Sequence, residues 1–183
     1  MKIFTSIGFL ICAVSVAFTP YTIAAEPKKI FEKRDWAAYT FKGDTGKICY
    51  IASAPKKQKG RYKKKNRGQP YALVTNRPAE NIKGEVNFIA GYNYKKNSSV
   101  LVKINKKTFD LFTQQDGAWS SEPALDAKLV KAMKNGNRMI VIGTSSRGTK
   151  TTDTYSLSGF TACLLYTSPS PRDVEESRMP SSA

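Results

Sequence analysis

The chain of 183 residues contains no histidine. That removes the side chain that most often serves as general base near neutral pH, and the commonest metal ligand with it. Acid is scarce as well: 14 Asp and Glu stand against 30 Lys and Arg, a net charge of +16. Cysteine occurs three times, at Cys12, Cys49 and Cys163. No carboxylate pair, Gly-rich phosphate loop or Cys/His metal cluster is recognisable, so neither a cofactor nor a metal is expected and no catalytic residue is assigned. Long apolar runs are missing too, except at the very start of the chain.

That start has the layout of a secretory signal peptide. Lys2 supplies a short positive region, Ile3 to Phe18 is apolar and uncharged, Pro20 breaks it, and small residues at Thr22, Ala24 and Ala25 precede Glu26. The run is shorter than the ~20 residues that span a bilayer, which argues against a membrane anchor. Residues 1–25 are therefore expected to be removed, leaving one exported domain at 26–162 and a tail at 163–183. The tail is rich in Ser and Pro and has no amphipathic period, as a disordered segment would. Its opening string, Cys163 to Asp173, also looks like translated adaptor sequence, so the tail is either disordered or an artefact that has replaced the native C-terminus. In an oxidising compartment Cys49 and Cys163 are the candidate disulfide pair, a pairing that an artefactual tail puts in doubt.

Between Lys28 and Ala162 the pattern is mostly that of strands. Arg34–Phe41 and Lys47–Ser53 flank a Gly43–Gly46 turn, and Tyr71–Thr75 ends at Arg77-Pro78. Gly84–Gly91, Ser99–Ile104 and Thr108–Phe112 alternate, with Asn105-Lys106 as a tight turn. Arg138–Ile142 and Thr151–Gly159 form a closing hairpin, with Ala118-Trp119 as a possible short strand before it. One helix is expected at about 126–135, with Asp126 as N-cap, an apolar stripe at Leu129, Val130 and Met133, and a left-handed stop at Asn135-Gly136. The fold class expected is mainly β, a single sandwich or barrel-like domain with one short helix. Trp36 and Trp119 are expected in its core.

The charge is concentrated. Residues 56–67 read K-K-Q-K-G-R-Y-K-K-K-N-R, with eight cations and no acid. Such a run is either a solvated loop or a contact for anions, and as an anion-binding segment it comprises Lys56, Lys57, Lys59, Arg61, Lys63, Lys64, Lys65 and Arg67. Arg147, Asp153 and Tyr155 in the closing hairpin are weaker candidates for ligand contact. Ser53-Ala54-Pro55-Lys56 matches the S-x-x-K pattern of serine acyl-transferases, but Pro55 intervenes and the partner motifs are absent.

Several of these pieces together resemble the invasion-associated locus B family of exported proteobacterial proteins. They are Asp35-Trp36, Cys49 to Lys56, Tyr71 to Pro78, Glu85-Val86, Gly91-Tyr92, Phe109 to Phe112, Ala118-Trp119 and the closing hairpin, in that order. The resemblance covers roughly residues 34 to 162. It implies a periplasmic or cell-envelope protein without known enzymatic activity, linked in some pathogens to host-cell invasion. It also implies a C-terminal cysteine beyond Ala162, where this chain departs from the pattern. The expected function is non-enzymatic contact with anionic envelope lipid or polysaccharide, or with a host surface, through the basic loop. The alternative is a periplasmic structural or chaperone-like module that binds another envelope protein. Nucleic acid is not an expected partner of an exported chain.

Overall fold

The structure is a computed structural model, and it describes residues 26–167. The expected signal peptide and everything after Thr167 lie outside the described residues. Eleven strands run in the order β1 (Lys28–Lys33), β2 (Trp36–Gly43), β3 (Gly46–Ser53), β4 (Lys57–Gly60), β5 (Tyr71–Arg77), β6 (Ile82–Ile89), β7 (Ser99–Ile104), β8 (Lys107–Gln114), β9 (Gly117–Trp119), β10 (Arg138–Thr144) and β11 (Lys150–Ser156). Helix α1 (Pro123–Lys134) separates β9 from β10, and α2 (Phe160–Thr167) follows β11. The strands form one antiparallel sheet in the spatial order β1-β2-β3-β5-β6-β9-β8-β7-β10-β11-β4.

Alternation explains how this sheet closes on a core. Most strands bury every second residue along much of their length, as in Ala72 and Val74 of β5, Val86 and Phe88 of β6, and Val100, Val102 and Ile104 of β7. Successive strand side chains point to opposite faces, so one face of each strand must be covered. These residues join a single cluster with Trp36, Met139, Val141 and Tyr155, which requires the sheet to curl until its two halves face each other. Contacts between the halves show this: the Phe88 and Tyr155 rings meet edge to face at 6.3 Å, and Trp36 Nε1 donates to Ser156 O at 2.9 Å. After Ser53 the chain continues from β3 into β4, which pairs with β11 at the far edge. The domain is mainly β and barrel-like, but its hydrogen-bonded sheet is not closed, with β1 and β4 as free edges.

Three expectations change. Helix α1 begins at Pro123, a position where proline costs nothing, and Glu122 caps it without a side-chain bond. Asp126 is therefore not the N-cap. It lies in the first turn, buried, where its Oδ1 accepts from the Val86 amide at 2.9 Å and ties the helix to β6. At the other end Asn135 has φ −103°, so no left-handed residue stops the helix there. Gly136 is required for packing instead, because a Cβ would meet Ile104 Cγ2 at 2.6 Å.

The second change is that the domain does not end at Ala162. Phe160 to Thr167 form a helix that buries Phe160, Cys163, Leu164 and Thr167. Phe160 packs edge-on against Trp36 at 5.0 Å, and Asn76 Nδ2 donates to Thr167 O at 2.7 Å. Five residues assigned to the tail thus belong to the fold, which has two α-helices among the described residues. Third, Cys49 and Cys163 are both free. The Cys49 sulfur sits against Thr40 Oγ1, and Cys163 Sγ donates to Trp36 O. Thr40 lies four residue steps beyond Trp36, roughly 13 Å along β2, so the expected bridge is out of reach. Burial pushes the Cys163 thiol pKa upward. Trp36 is in the core as expected, whereas Trp119 is only half-buried and stacks on the exposed Phe112.

Candidate functional site

The basic segment is more ordered than a solvated loop. Its first part, Lys57–Gly60, is strand β4, held by backbone pairing of Thr151 to Thr154 with Gly60 to Lys57. A short 3-10 turn follows at Lys64–Asn66. The segment ends at Arg67, whose side chain is 3% exposed and forms two parallel hydrogen bonds to Asp153, at 2.9 and 2.5 Å; the Asp153 side chain is 6% exposed. Arg67 Nε also donates to Ala90 O at 2.8 Å, and Nη1 to the Tyr62 hydroxyl at 3.0 Å. Its guanidinium lies over the rings of Tyr62 and Tyr92, at 5.3 and 5.0 Å. Burial alone would depress the Arg67 pKa, but the hydrogen bonds and charge of Asp153, with Tyr62, raise it above the usual arginine value. The cation is permanent, and every part of it is engaged.

Arg67 therefore positions two aromatic side chains and anchors the end of the loop. Beside it, Gly68 N donates to Gly91 O at 2.9 Å. Gly91 has φ +73°, and a Cβ there would lie 2.1 Å from Gly68 O, so only glycine allows the two backbones to meet. This contact sets the basic segment beside the β6–β7 connection. That connection is tied in turn to the β10–β11 hairpin: Ser146 N donates to Asn93 O, Lys95 N to Thr144 O, and the Tyr92 and Thr151 hydroxyls share a 2.6 Å bond.

Three segments distant in sequence thus enclose a cleft of about 760 Å³. Arg61, Lys63 and Arg67 line it from one side and Arg147 from the hairpin, with Tyr62 and Tyr92 between them. Amide and hydroxyl groups of Asn66, Asn93, Ser145, Ser146 and Thr149 supply most of the rest, with Gly91 and Thr151, and no carboxylate and no aliphatic side chain is among the lining residues. Burial raises the Tyr92 pKa, which keeps that phenol neutral.

The structure divides the expected anion-binding residues. Arg61 and Lys63 face the cleft; Lys64 and Lys65 are exposed outside its lining. Lys57 and Lys59 are exposed on the edge strand β4. Their neighbour Gln58 accepts from Tyr62 and Arg67, which places the two lysines on the opposite face. Lys56 is paired with Asp35 instead. Arg67 is not a free anion contact, since its donors are spent within the protein. Of the hairpin candidates, Arg147 lines the cleft. Asp153 is the buried partner of Arg67, and Tyr155 is core, 1% exposed, so neither is placed to touch a ligand. Ser53 Oγ donates to Asp35 O at 2.6 Å, and Lys56 serves the Asp35 carboxylate, so the S-x-x-K pair is not an activated serine. Sequence reasoning missed Tyr92, Asn93 and Ser146 as cleft residues. The Gly91-Tyr92 pair was the available signal, a glycine marking a close backbone approach beside an aromatic.

Comparison with known proteins follows the same architecture. The family model described as invasion associated locus B (IalB) protein matches residues 36–166, which ends inside α2. Among solved structures, the crystal structure of invasion associated protein B from Bartonella henselae is similar, with a TM-score of 0.52 and 13% sequence identity. The match covers 75% of this chain and 94% of that one, and at this identity it speaks for the fold. No curated protein sequence matches the chain. The family match spans nearly the whole described domain, from the first residue of β2 to the penultimate residue of α2: the chain belongs to the invasion-associated locus B family.

Proposed function

We propose that the protein is an exported, non-enzymatic module of the cell envelope that docks on anionic surfaces, envelope lipid or polysaccharide or a host-cell surface, through its basic segment. One observation carries this reading: the acid-free run 56–67 is held in place by the buried Arg67–Asp153 pair, so that its remaining cations project from a fixed support. A disordered run of the same charge would lose side-chain and backbone entropy on binding, whereas a pinned one has lost much of it already. Each Lys or Arg near an anionic membrane contributes on the order of 1 kcal/mol, so a group of five or six suffices for salt-sensitive docking. The test is retention on anionic vesicles and on immobilised heparin at rising salt. The variant Lys63→Glu, Lys64→Glu, Lys65→Glu is expected to lose retention at physiological ionic strength. Unchanged retention sinks the proposal.

A second reading, a structural or chaperone-like module for another envelope protein, draws on a different surface. Leu101 and Phe112 are 36% and 47% exposed on the outer face of β7 and β8, with Trp119 of β9 stacked on Phe112. Docking through that patch should persist at high salt, where contact through the basic segment fails.

A further inference from the structure

We infer that the cleft between the basic segment and the β10–β11 hairpin is a pocket for a phosphate or sulfate ester carried on a sugar. The inference deepens the docking reading and rests on it for the sign of the partner's charge. The volume of about 760 Å³ is that of a site for a small molecule, here of disaccharide size. Three of its cations come from separate places, Arg61 and Lys63 before the 3-10 turn and Arg147 from the hairpin, and among the described residues none of them has an ion-pair partner. Arg67 is the contrast, because Asp153 neutralises it from below. An anion entering the cleft would therefore be met by Arg61, Lys63 and Arg147, with a planar guanidinium on each side able to hold two oxygens of one ester group.

The remaining wall narrows the ligand. It holds no aliphatic side chain, so the apolar surface inside is limited to the Tyr62 and Tyr92 rings and the carbon stems of the cations, a poor floor for an acyl chain. Asn66, Asn93, Ser146 and Thr149 present amides and hydroxyls, which suit the many hydroxyls of a sugar. The backbone does not serve as an anion nest: Ser146 N is spent on Asn93 O and Gly148 N on Ser145 O. Tyr62 and Tyr92 each give a ring face to the Arg67 guanidinium, which leaves no fully open aromatic platform for the stacked bases of a nucleic acid strand.

Calorimetric titration of the purified protein tests this with small probes. One is a deacylated glucosamine disaccharide bearing two phosphates, and another is a sulfated uronic acid–glucosamine disaccharide. The controls are the same sugars without esters and a tetraglutamate peptide. At least one ester sugar is expected to bind, with Arg147→Ala and Arg61→Ala each weakening it about tenfold or more. Lys128→Ala, exposed on α1 and outside both the cleft lining and the basic segment, should leave it unchanged. Which disaccharide binds separates a lipid headgroup source from a sulfated glycan. Binding of neither ester, equal binding of the peptide, or indifference to Arg147→Ala overturns the pocket. If vesicle and heparin retention survive in the same protein, the pocket alone falls; if retention fails too, the docking reading falls with it.

Discussion

Lys63 and Arg67 are four residues apart in the most basic stretch of the chain, and the fold uses them in opposite ways. Lys63 is exposed at the rim of the cleft, whereas the Arg67 side chain is buried on Asp153 and between two tyrosine rings. A cation with a buried partner holds structure together. A cation without one is left to meet something outside the protein. Charge density in a sequence does not distinguish these roles; the position of the carboxylates does. Here the decisive carboxylate is 86 residues away, on β11.

The sharpest way to break that contrast is to remove the buried partner. Arg67→Ala leaves Asp153 charged and unpaired beneath the cleft, and should cost about 3–5 kcal/mol in urea denaturation. Charge alone is not the whole of it, because Tyr62, Gln58 and the Ala90 carbonyl lose a donor as well. The pair of changes Arg67→Met with Asp153→Leu should recover most of the stability and still lose ligand docking, since Tyr62 and the end of the basic segment would no longer be positioned. If Arg67→Ala costs less than about 1 kcal/mol, the claim that this arginine is structural fails.

A smaller effect is expected one shell further out. Tyr92→Phe keeps the ring under the Arg67 guanidinium and deletes the hydroxyl that bonds to Thr151. The loss should be about 1 kcal/mol, the ordinary net worth of a hydrogen bond with one partner left behind. Hydrogen exchange of the 91–95 amides would show whether this bond or the Gly68–Gly91 contact holds that connection to the hairpin.

These residues also show what was legible in advance. The strands with one wet and one dry face, β5 to β8 above all, are written in alternation, and the tight turn at Asn105, with φ 53°, is written in residue type. Strand β4 is not, because all four of its side chains are exposed and only backbone pairing with β11 makes it a strand. Strand β1 is hidden for a similar reason, with five of its six residues exposed. Helix α2 was concealed by the change of composition after Ala162, although Phe160, Cys163 and Leu164 have the spacing of a helix that buries one side. Of the cleft, the cations of one wall were readable as a run. The opposite wall was not, since Asn93 and Ser146 meet only through the main-chain bond between two connections.

Lys56 tests the border between the two kinds of cation. It belongs to the basic run, yet it pairs with Asp35, in the turn just before β2, and is largely exposed. Hydrogen bonds from Lys56 and from Ser156, with the charge of Lys56 and Arg34, hold the Asp35 carboxyl below its ordinary pKa. A carboxylate whose folded pKa is depressed contributes stability that is present above its unfolded value, about 3.9, and is lost as pH falls through the lower folded value. Lys56→Ala should therefore destabilise the protein by no more than about 1 kcal/mol at neutral pH, as exposed pairs do. Its stability should also fall less steeply in acid than that of the parent. Identical acid profiles for the two proteins would show that the pair is incidental.

The smallest effect on stability is expected where the effect on binding is largest. Lys64 and Lys65 are exposed in the 3-10 turn, and Lys63 beside them lines the cleft without an ion pair among the described residues. The turn's own backbone bonds, from Asn66 N to Lys63 O and from Arg67 N to Lys64 O, do not involve the ammonium groups. Reversing all three charges should change unfolding free energy by no more than about 0.5 kcal/mol. A favourable contribution offsets part of any loss, because seven other basic residues, Lys56, Lys57, Lys59, Arg61, Arg67, Arg147 and Lys150, lie in the same run or in the facing hairpin. Their mutual repulsion falls when acid is introduced among them. A triple variant as stable as the parent, but released from anionic vesicles at physiological salt, would separate the two roles of positive charge in this segment. A variant that unfolds instead would mean that the exposed lysines carry structure as Arg67 does, and the distinction drawn from burial would not hold.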